Sequence, residues 1–401
     1  MSAVHKTSIA AADVTLPANS MWRKVPFIAA ALGLAGIGGT LAVGGDHHEN
    51  YFAYLTAFLF FLSIALGGLF FCMIFFLTRS GWNVAVRRIA ESAAATLPVF
   101  ALLFIPVLLG KEHIYHWMVP GAADHDPLLQ WKQGYLNVGF FLARSGIYFL
   151  IWTGLALLFR GWSIRQDSSG DTAITRKLQA IAAPGIALGA LSITFATFDW
   201  NMSIDYHWFS TMYGVIYFAG SFMSLFAVLA IVTTLFRRQG LTRNYITVEH
   251  QHGIGKMMFG MNCFWAYTSF SQFMLIWYAN IPEETIWYMH RWEGSWRSVS
   301  ILLAVGHFVV PFFFLMSRHI KRNPITLVIG ACWLLGMHYL DLFWMIMPNV
   351  YHGNASFGLS EILSFVGVGG VFVGAFTFLL SRAPLIPVKD PRLPESLAFE
   401  N

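Results

Sequence analysis

The chain has 401 residues, 57% of them hydrophobic and only 11% charged, with 37 Phe and 15 Trp. Charged residues make up about a quarter of a soluble globular chain, so this composition excludes one and reads as an all-α integral membrane protein. The formal charge of +5 does not imply nucleic acid, because membrane proteins keep excess Lys and Arg in their cytoplasmic loops.

In chain order, residues 1–24 are polar and read as a cytoplasmic tail. No small-residue cleavage site follows a short apolar core, so no cleavable signal is expected. A crossing needs about 20 mostly apolar residues. Ten segments qualify: 25–45, 51–78, 92–110, 137–160, 178–199, 209–235, 257–280, 298–318, 324–348 and 357–380. Residues 25–380 therefore form a ten-helix membrane domain, and 381–401 a second cytoplasmic tail; either tail has the composition to run over neighbouring subunits. Pro98, Pro106, Pro184 and Pro311 fall within spans, where they kink helices or free carbonyls. No internal repeat is evident. Cys72, Cys263 and Cys332 lie in apolar segments without CxxC or CxxCH spacing, so they read as buried, inert thiols rather than disulfide, c-type haem or iron–sulfur ligands.

Orientation follows from counting. The N-terminal tail and the even-numbered gaps (79–91, 160–177, 236–256, 318–323, 381–401) hold 20 of the 25 Lys and Arg. The odd-numbered gaps hold Lys111, Lys132, Arg291 and Arg297, and Arg144 lies inside a span. The positive-inside rule places both termini in the cytoplasm, as expected for a multi-pass protein of a bacterial inner membrane. The outer loops 111–136 and 281–297 are rich in Trp, Tyr and His, which suits a docking surface or an interfacial aromatic belt equally.

The fifth span ends in the run Asp199-Trp-Asn-Met-Ser-Ile-Asp205-Tyr-His207-Trp, and the sixth begins at once. Ser210, Tyr213, Tyr217, Ser221 and Ser224 are spaced 3, 4, 4 and 3, which places them on one helix face. Arg144 sits about 10 Å below the outer surface at 1.5 Å per residue. His338 and Asp341 share a face of the ninth span, His307 lies near the middle of the eighth, Glu361 opens the tenth, and Asn262, Ser269 and Gln272 share a face of the seventh. Ionisable residues within spans mark ion or substrate paths by default, the alternative being satisfied interhelical hydrogen bonds. His307 and His338 are the only pair at a depth suited to a b-type haem, and the within-helix histidine repeat usual for one is absent. His113, His116 and His125 lack an evident fourth ligand, so no metal site is expected. His250, His252 and Lys256 on the inner side read as a solvated face or a point of proton uptake.

The blocks Asp199-Trp-Asn-Met-Ser, His207-Trp-Phe-Ser-Thr-Met-Tyr-Gly and Phe264-Trp-Ala-Tyr-Thr-Ser-Phe-Ser-Gln-Phe-Met-Leu-Ile-Trp-Tyr-Ala-Asn-Ile-Pro-Glu-Glu-Thr resemble the F subunit of bacterial alternative complex III, a quinol:cytochrome c (or other acceptor) oxidoreductase of respiratory or photosynthetic electron transport. That subunit is similar to the C subunit of the complex and to NrfD and polysulfide-reductase membrane subunits. The resemblance covers essentially all ten spans. It implies two four-helix bundles, spans 2–5 and 6–9, with spans 1 and 10 peripheral, and no haem or iron–sulfur cluster in this subunit. It implies as partners a related ten-helix C-type membrane subunit, an outer iron–sulfur subunit, haem c subunits and lipids.

Three functions remain open. One is a proton path coupled to quinol oxidation, with Asp341 and His338 as central relay, Asp199, Asp205 and His207 at the outer mouth, and His307, Tyr213, Tyr217, Ser221, Ser224, Asn262, Ser269 and Gln272 along it. A quinone or quinol site lined by His207, Asp199, Arg144 and Tyr213 is the second. A membrane scaffold for the redox subunits is the third.

Overall fold

The computed structural model describes residues 9–42 and 47–401, apart from the side chains of His47 and His125, and every regular element among the described residues is helical. The long helices are α1 (Val25–Ala42), α2 (His48–Leu77), α3 (Val84–Leu109), α4 (Val138–Ser169), α5 (Thr172–Trp200), α6 (Tyr213–Arg238), α7 (Val248–Ala279), α8 (Trp296–Met316), α9 (Pro324–Asn349) and α10 (Leu359–Leu380). Among the described residues, nine of these are long and apolar enough to cross a membrane. The exception is α7, which is 32 residues long but opens with Glu249, His250, Gln251 and His252 and carries Asn262 and Gln272.

Helices α2 and α6 form the centre. From Phe52 to Phe76 nearly every residue of α2 is buried, and α6 packs on it. Helix α2 also touches α3 and α5, and α4 closes against α3 and α5; on the other side α6 touches α7 and α9, and α8 closes against both. Helices α1 and α10 pack mainly on each other. Their backbones meet at Gly367, where a Cβ would come within 2.8 Å of the Ile37 nitrogen.

The two ends of the helix array differ. At the tail end the terminal segments meet: the Leu385 amide donates to the Val14 carbonyl (2.7 Å), and Trp22 Nε1 donates to Gln239 Oε1 (2.6 Å). At the loop end Lys132 Nζ donates to the Tyr206 carbonyl (2.6 Å), Tyr206 Oη to Asp126 Oδ2 (2.8 Å) and Trp208 Nε1 to the Glu284 carbonyl (3.1 Å).

Several expectations change. Of the expected gap 79–91 only residues 79–83 connect helices, because α3 begins at Val84. Its first turns bury Arg87, Arg88 and Glu91, which pair with one another and with Asp167 and Asp390 (Arg87–Glu91 3.0 Å, Arg87–Asp390 2.6 Å, Arg88–Glu91 3.2 Å, Arg88–Asp167 2.6 Å). Residues 381–401 lie back on the chain's own tail end: Leu385 and Ile386 are fully buried and Ser396 Oγ donates to the Trp82 carbonyl (2.7 Å). His250 is buried beneath this tail rather than solvated. Its Nδ1 accepts from the Thr247 amide (3.1 Å) to cap α7, and its Nε2 meets Ser396 Oγ (3.1 Å). Both ring nitrogens are engaged, which removes it as a proton-uptake group. Only Cys72 of the three free cysteines is buried; Cys332 is exposed because its face of α9 turns outward. Pro98 and Pro106 follow breaks in α3 at Thr96 and Phe104, whereas α5 runs unbroken through Pro184.

Candidate functional site at the loop-end half

The site begins with a local backbone fault. Residues Leu303–Val309 of α8 form a π turn. Pro311 has no N–H to donate to the His307 carbonyl four residues back, so the regular ladder cannot continue and loosens there. The Trp333 indole donates to the Gly306 carbonyl (2.7 Å). The turn aims His307 inward, against α7 and α9.

His338 and Asp341, three residues apart on α9, face the same space, as their spacing predicts. At 1.5 Å per residue they lie about 21 and 26 Å from Pro324 at the tail end of α9. One ligand atom from each of His307, His338 and Asp341 lies within 4.8 Å of the others, and all three side chains are buried. The sixth helix makes room at Gly220, where a Cβ would sit 2.3 Å from His338 Cε1.

Neighbouring hydrogen bonds fix what these side chains present. Ser63 Oγ gives its only proton to the Phe60 carbonyl (2.6 Å), so at its 2.9 Å contact with His338 Nε2 it accepts. His338 is therefore protonated on Nε2, and Nδ1 keeps a lone pair with no partner. In the same way His307 Nδ1 donates to Asn262 Oδ1 (3.3 Å), which leaves Nε2 as an unpartnered lone pair. Asp341 Oδ2 accepts one bond, from Trp265 Nε1 (3.0 Å), and the same indole stacks on His307 at 3.6 Å between ring centroids. Three buried side chains thus come together, each of the two imidazoles keeps one ring nitrogen unpartnered among the described residues, and the one donor to Asp341 among them is the Trp265 indole N–H.

Beside this triad is a cavity of about 650 Å³. Helices α7 and α8 pack along Val310–Met316 and diverge toward the loop end. The gap is walled by Trp265, Phe270, Phe273 and Trp277 of α7 and by Leu303 and Phe308 of α8. Its polar groups include Asp341 at depth, Ser269 and Gln272 midway, and Tyr288 and Arg291 near the mouth. Gln272 is held by Ser210 (2.7 Å) and Tyr288 (3.0 Å), and Ser269 Oγ has no partner among the described residues. Arg291 is buried with its guanidinium 3.4 Å from the centre of the Trp287 ring. It donates to the carbonyls of Trp287, Trp344 and Met345 and has no carboxylate partner among the described residues. Burial pulls this loop guanidinium down to about 10, so it stays a cation at neutral pH.

The other expected site residues fall elsewhere. Asp199 is fully buried and bound by Arg144 through both oxygens (2.8 and 2.9 Å) and by Tyr148 Oη (2.7 Å). Arg144 in turn donates to the Tyr135 carbonyl (2.9 Å) and lies over the Tyr135 ring. His207 is exposed and meets Asp126 (3.0 Å), while Asp205 accepts from the His207 amide (3.3 Å). The polar face of α6 is present and buried, but its hydroxyls are committed: Tyr213 to Asn201 Oδ1 (3.2 Å), Tyr217 to the Leu59 carbonyl (2.7 Å), and Ser221 and Ser224 to carbonyls one turn back (2.7 and 2.9 Å). His113 stacks on Tyr51 at 5.4 Å, and the His125 side chain lies outside the described residues. Glu361 caps α10 through the Gly358 amide (2.8 Å).

Four contributors were not visible in the sequence. Ser63, Trp265, Tyr148 and Arg291 act through partners 40 or more residues away (Ser63–His338, Trp265–Asp341, Tyr148–Asp199, Arg291–Met345), and no local pattern marks such pairs. No family model matches the chain, and no curated protein matches it.

Proposed function

We propose that the chain is a cofactor-free membrane subunit of a quinol:electron-acceptor oxidoreductase, similar to the F subunit of alternative complex III, and that the half beyond His307, His338 and Asp341 carries protons between this triad and the loop end. The observation that carries the reading is the closeness of three buried groups, His307, His338 and Asp341, two of which keep an unpartnered ring nitrogen among the described residues. Unpaired buried acceptors are costly, and a shared proton, or a protonated water among them, removes that cost. The cavity, with Ser269, Gln272 and Tyr288 along it, supplies a route from the triad to the loop end. The commitment of the Ser221 and Ser224 hydroxyls to their own helix argues for a half-path rather than a continuous wire across the bilayer.

The wider setting is part of the same proposal. Meeting terminal segments require an even number of crossings, so α7 would be the tenth. The closed rings α2–α5 and α6–α9 support two four-helix bundles, with α1 and α10 peripheral. The charge count supports cytoplasmic termini in a bacterial inner membrane. Exposed aromatics at the loop end, including Trp131 and Tyr278, would meet the iron–sulfur and haem c subunits, with the C-type subunit and lipids alongside.

The test is Asp341→Asn in the reconstituted complex. Protons translocated per electron should fall severalfold while quinol oxidation continues. Equal loss of both, or no loss of either, would sink the reading.

The cavity favours a second reading, a quinol site. Its volume and mostly apolar walls with a few polar groups suit such a ligand, at a place different from the Asp199, Arg144, His207 and Tyr213 set. A photoreactive quinone that labels Phe270 or Trp277 would favour it, whereas labelling confined to a partner subunit would count against it.

A further inference from the structure

We infer that His307, His338 and Asp341 form a binding site for one divalent transition-metal ion of the zinc class. The inference uses the same triad as the proton reading but does not depend on proton movement.

Two neutral imidazole nitrogens and one carboxylate oxygen are a borderline donor set that suits Zn²⁺, Co²⁺ or Fe²⁺ and not the oxygen-seeking Mg²⁺ or Ca²⁺. Each ligand is held by a supporting bond of the kind that orients metal ligands. Ser63 fixes the His338 tautomer with Nδ1 free, Asn262 fixes that of His307 with Nε2 free, and Trp265 steadies Asp341. Both free nitrogens are buried and unpartnered among the described residues, so a cation that binds them displaces no protein hydrogen bond. Bonds of about 2.1 Å in a tetrahedral site set ligand atoms about 3.4 Å apart, so a triangle whose atoms all lie within 4.8 Å closes by up to about 1.4 Å, a movement that side-chain rotation supplies. The cavity that reaches Asp341 gives an ion access from the loop end and leaves space for water as a fourth ligand, the open arrangement of three-ligand zinc sites. A bound ion would occupy the space in which a proton is otherwise shared, and would plug the half-path.

The experiment is a Co²⁺ titration of the purified full chain in detergent micelles after chelator treatment. The expected result is one equivalent bound, with visible d–d absorption of four-coordinate intensity that Zn²⁺ abolishes. His338→Gln and Asp341→Asn should each lose the band with their helical circular dichroism unchanged. Ser63→Ala keeps all three ligands and should weaken binding by about 10-fold or more, which covers the case in which a ligand variant fails to fold. Absence of the band, or a band unchanged in all three variants, overturns the site. Proton conduction by the chelator-treated chain in liposomes is measured separately, so conduction without Co²⁺ binding refutes the metal site alone, and Co²⁺ binding without conduction refutes the proton reading alone.

Discussion

Asp199 and Asp341 are both buried aspartates in the membrane helices, and their surroundings are opposite. Asp199 receives three donor atoms from Arg144 and Tyr148, a charge-assisted, bidentate arrangement that fully satisfies the carboxylate. Asp341 receives one, from Trp265, and lies beside His307 and His338, each with an unpartnered ring nitrogen among the described residues. A fully satisfied carboxylate fastens α4 to α5. An undersatisfied one has capacity left for a proton or an ion, so the hydrogen-bond inventory separates anchor from working group where burial does not.

The comparison breaks most sharply by substitution. Asp199→Ala leaves the Arg144 guanidinium buried and uncompensated, which should cost about 3–5 kcal/mol. Thermal unfolding of the chain in micelles should show a large drop in Tm. Asp341→Asn should do the reverse on the same assay: its amide offers a donor to acceptors that lack one, so Tm should stay within a degree or two of the parent or rise. If Asp341→Asn unfolds the chain as Asp199→Ala does, the two sites do not differ in kind.

A smaller effect probes the shape of the triad. Gly220→Ala places a methyl group 2.3 Å from His338 Cε1, so the ring must move or α6 must shift. Overpacking of this sort costs about 1–3 kcal/mol. The change leaves every triad residue in place, so a loss of proton conduction or of Co²⁺ binding larger than the loss of stability would tie function to the ring's position. Unchanged function would mean that His338 is free to relocate.

The all-helical, multi-span class of the fold was legible because apolar length is a local property. The face shared by His338 and Asp341 was legible because helical spacing is local too. His307 could be placed by depth, but its inward aim depends on the π turn ahead of Pro311, which hydropathy does not report. The polar face of α6 was visible, yet whether Ser221 and Ser224 serve a path or bond their own carbonyls is decided by rotamers. The short polar stretch 79–91 resembled a loop because Arg87, Arg88 and Glu91 look solvated until Asp167 and Asp390, from two distant segments, come to meet them.

The same reasoning applies at the tail end, where the sequence alone offers His250 as part of a solvated face or a point of proton uptake. It lies outside the crossing segment, and burial pulls its imidazole from the ordinary 6.5 down to about 4, aided by Arg237 and opposed by its Ser396 bond and by Glu249. The docked tail therefore holds His250 neutral, whereas an undocked tail lets it titrate near its ordinary value. Between those two values the released state binds more protons than the docked state, so docking is strongest above about 6.5 and weakens as pH falls toward about 4. Limited proteolysis of residues 381–401 should accelerate severalfold across that window. His250→Gln, which retains an acceptor for the Thr247 amide but cannot take up a proton, should flatten the profile. A profile equally steep in the variant would show that His250 is not the source of the acid sensitivity.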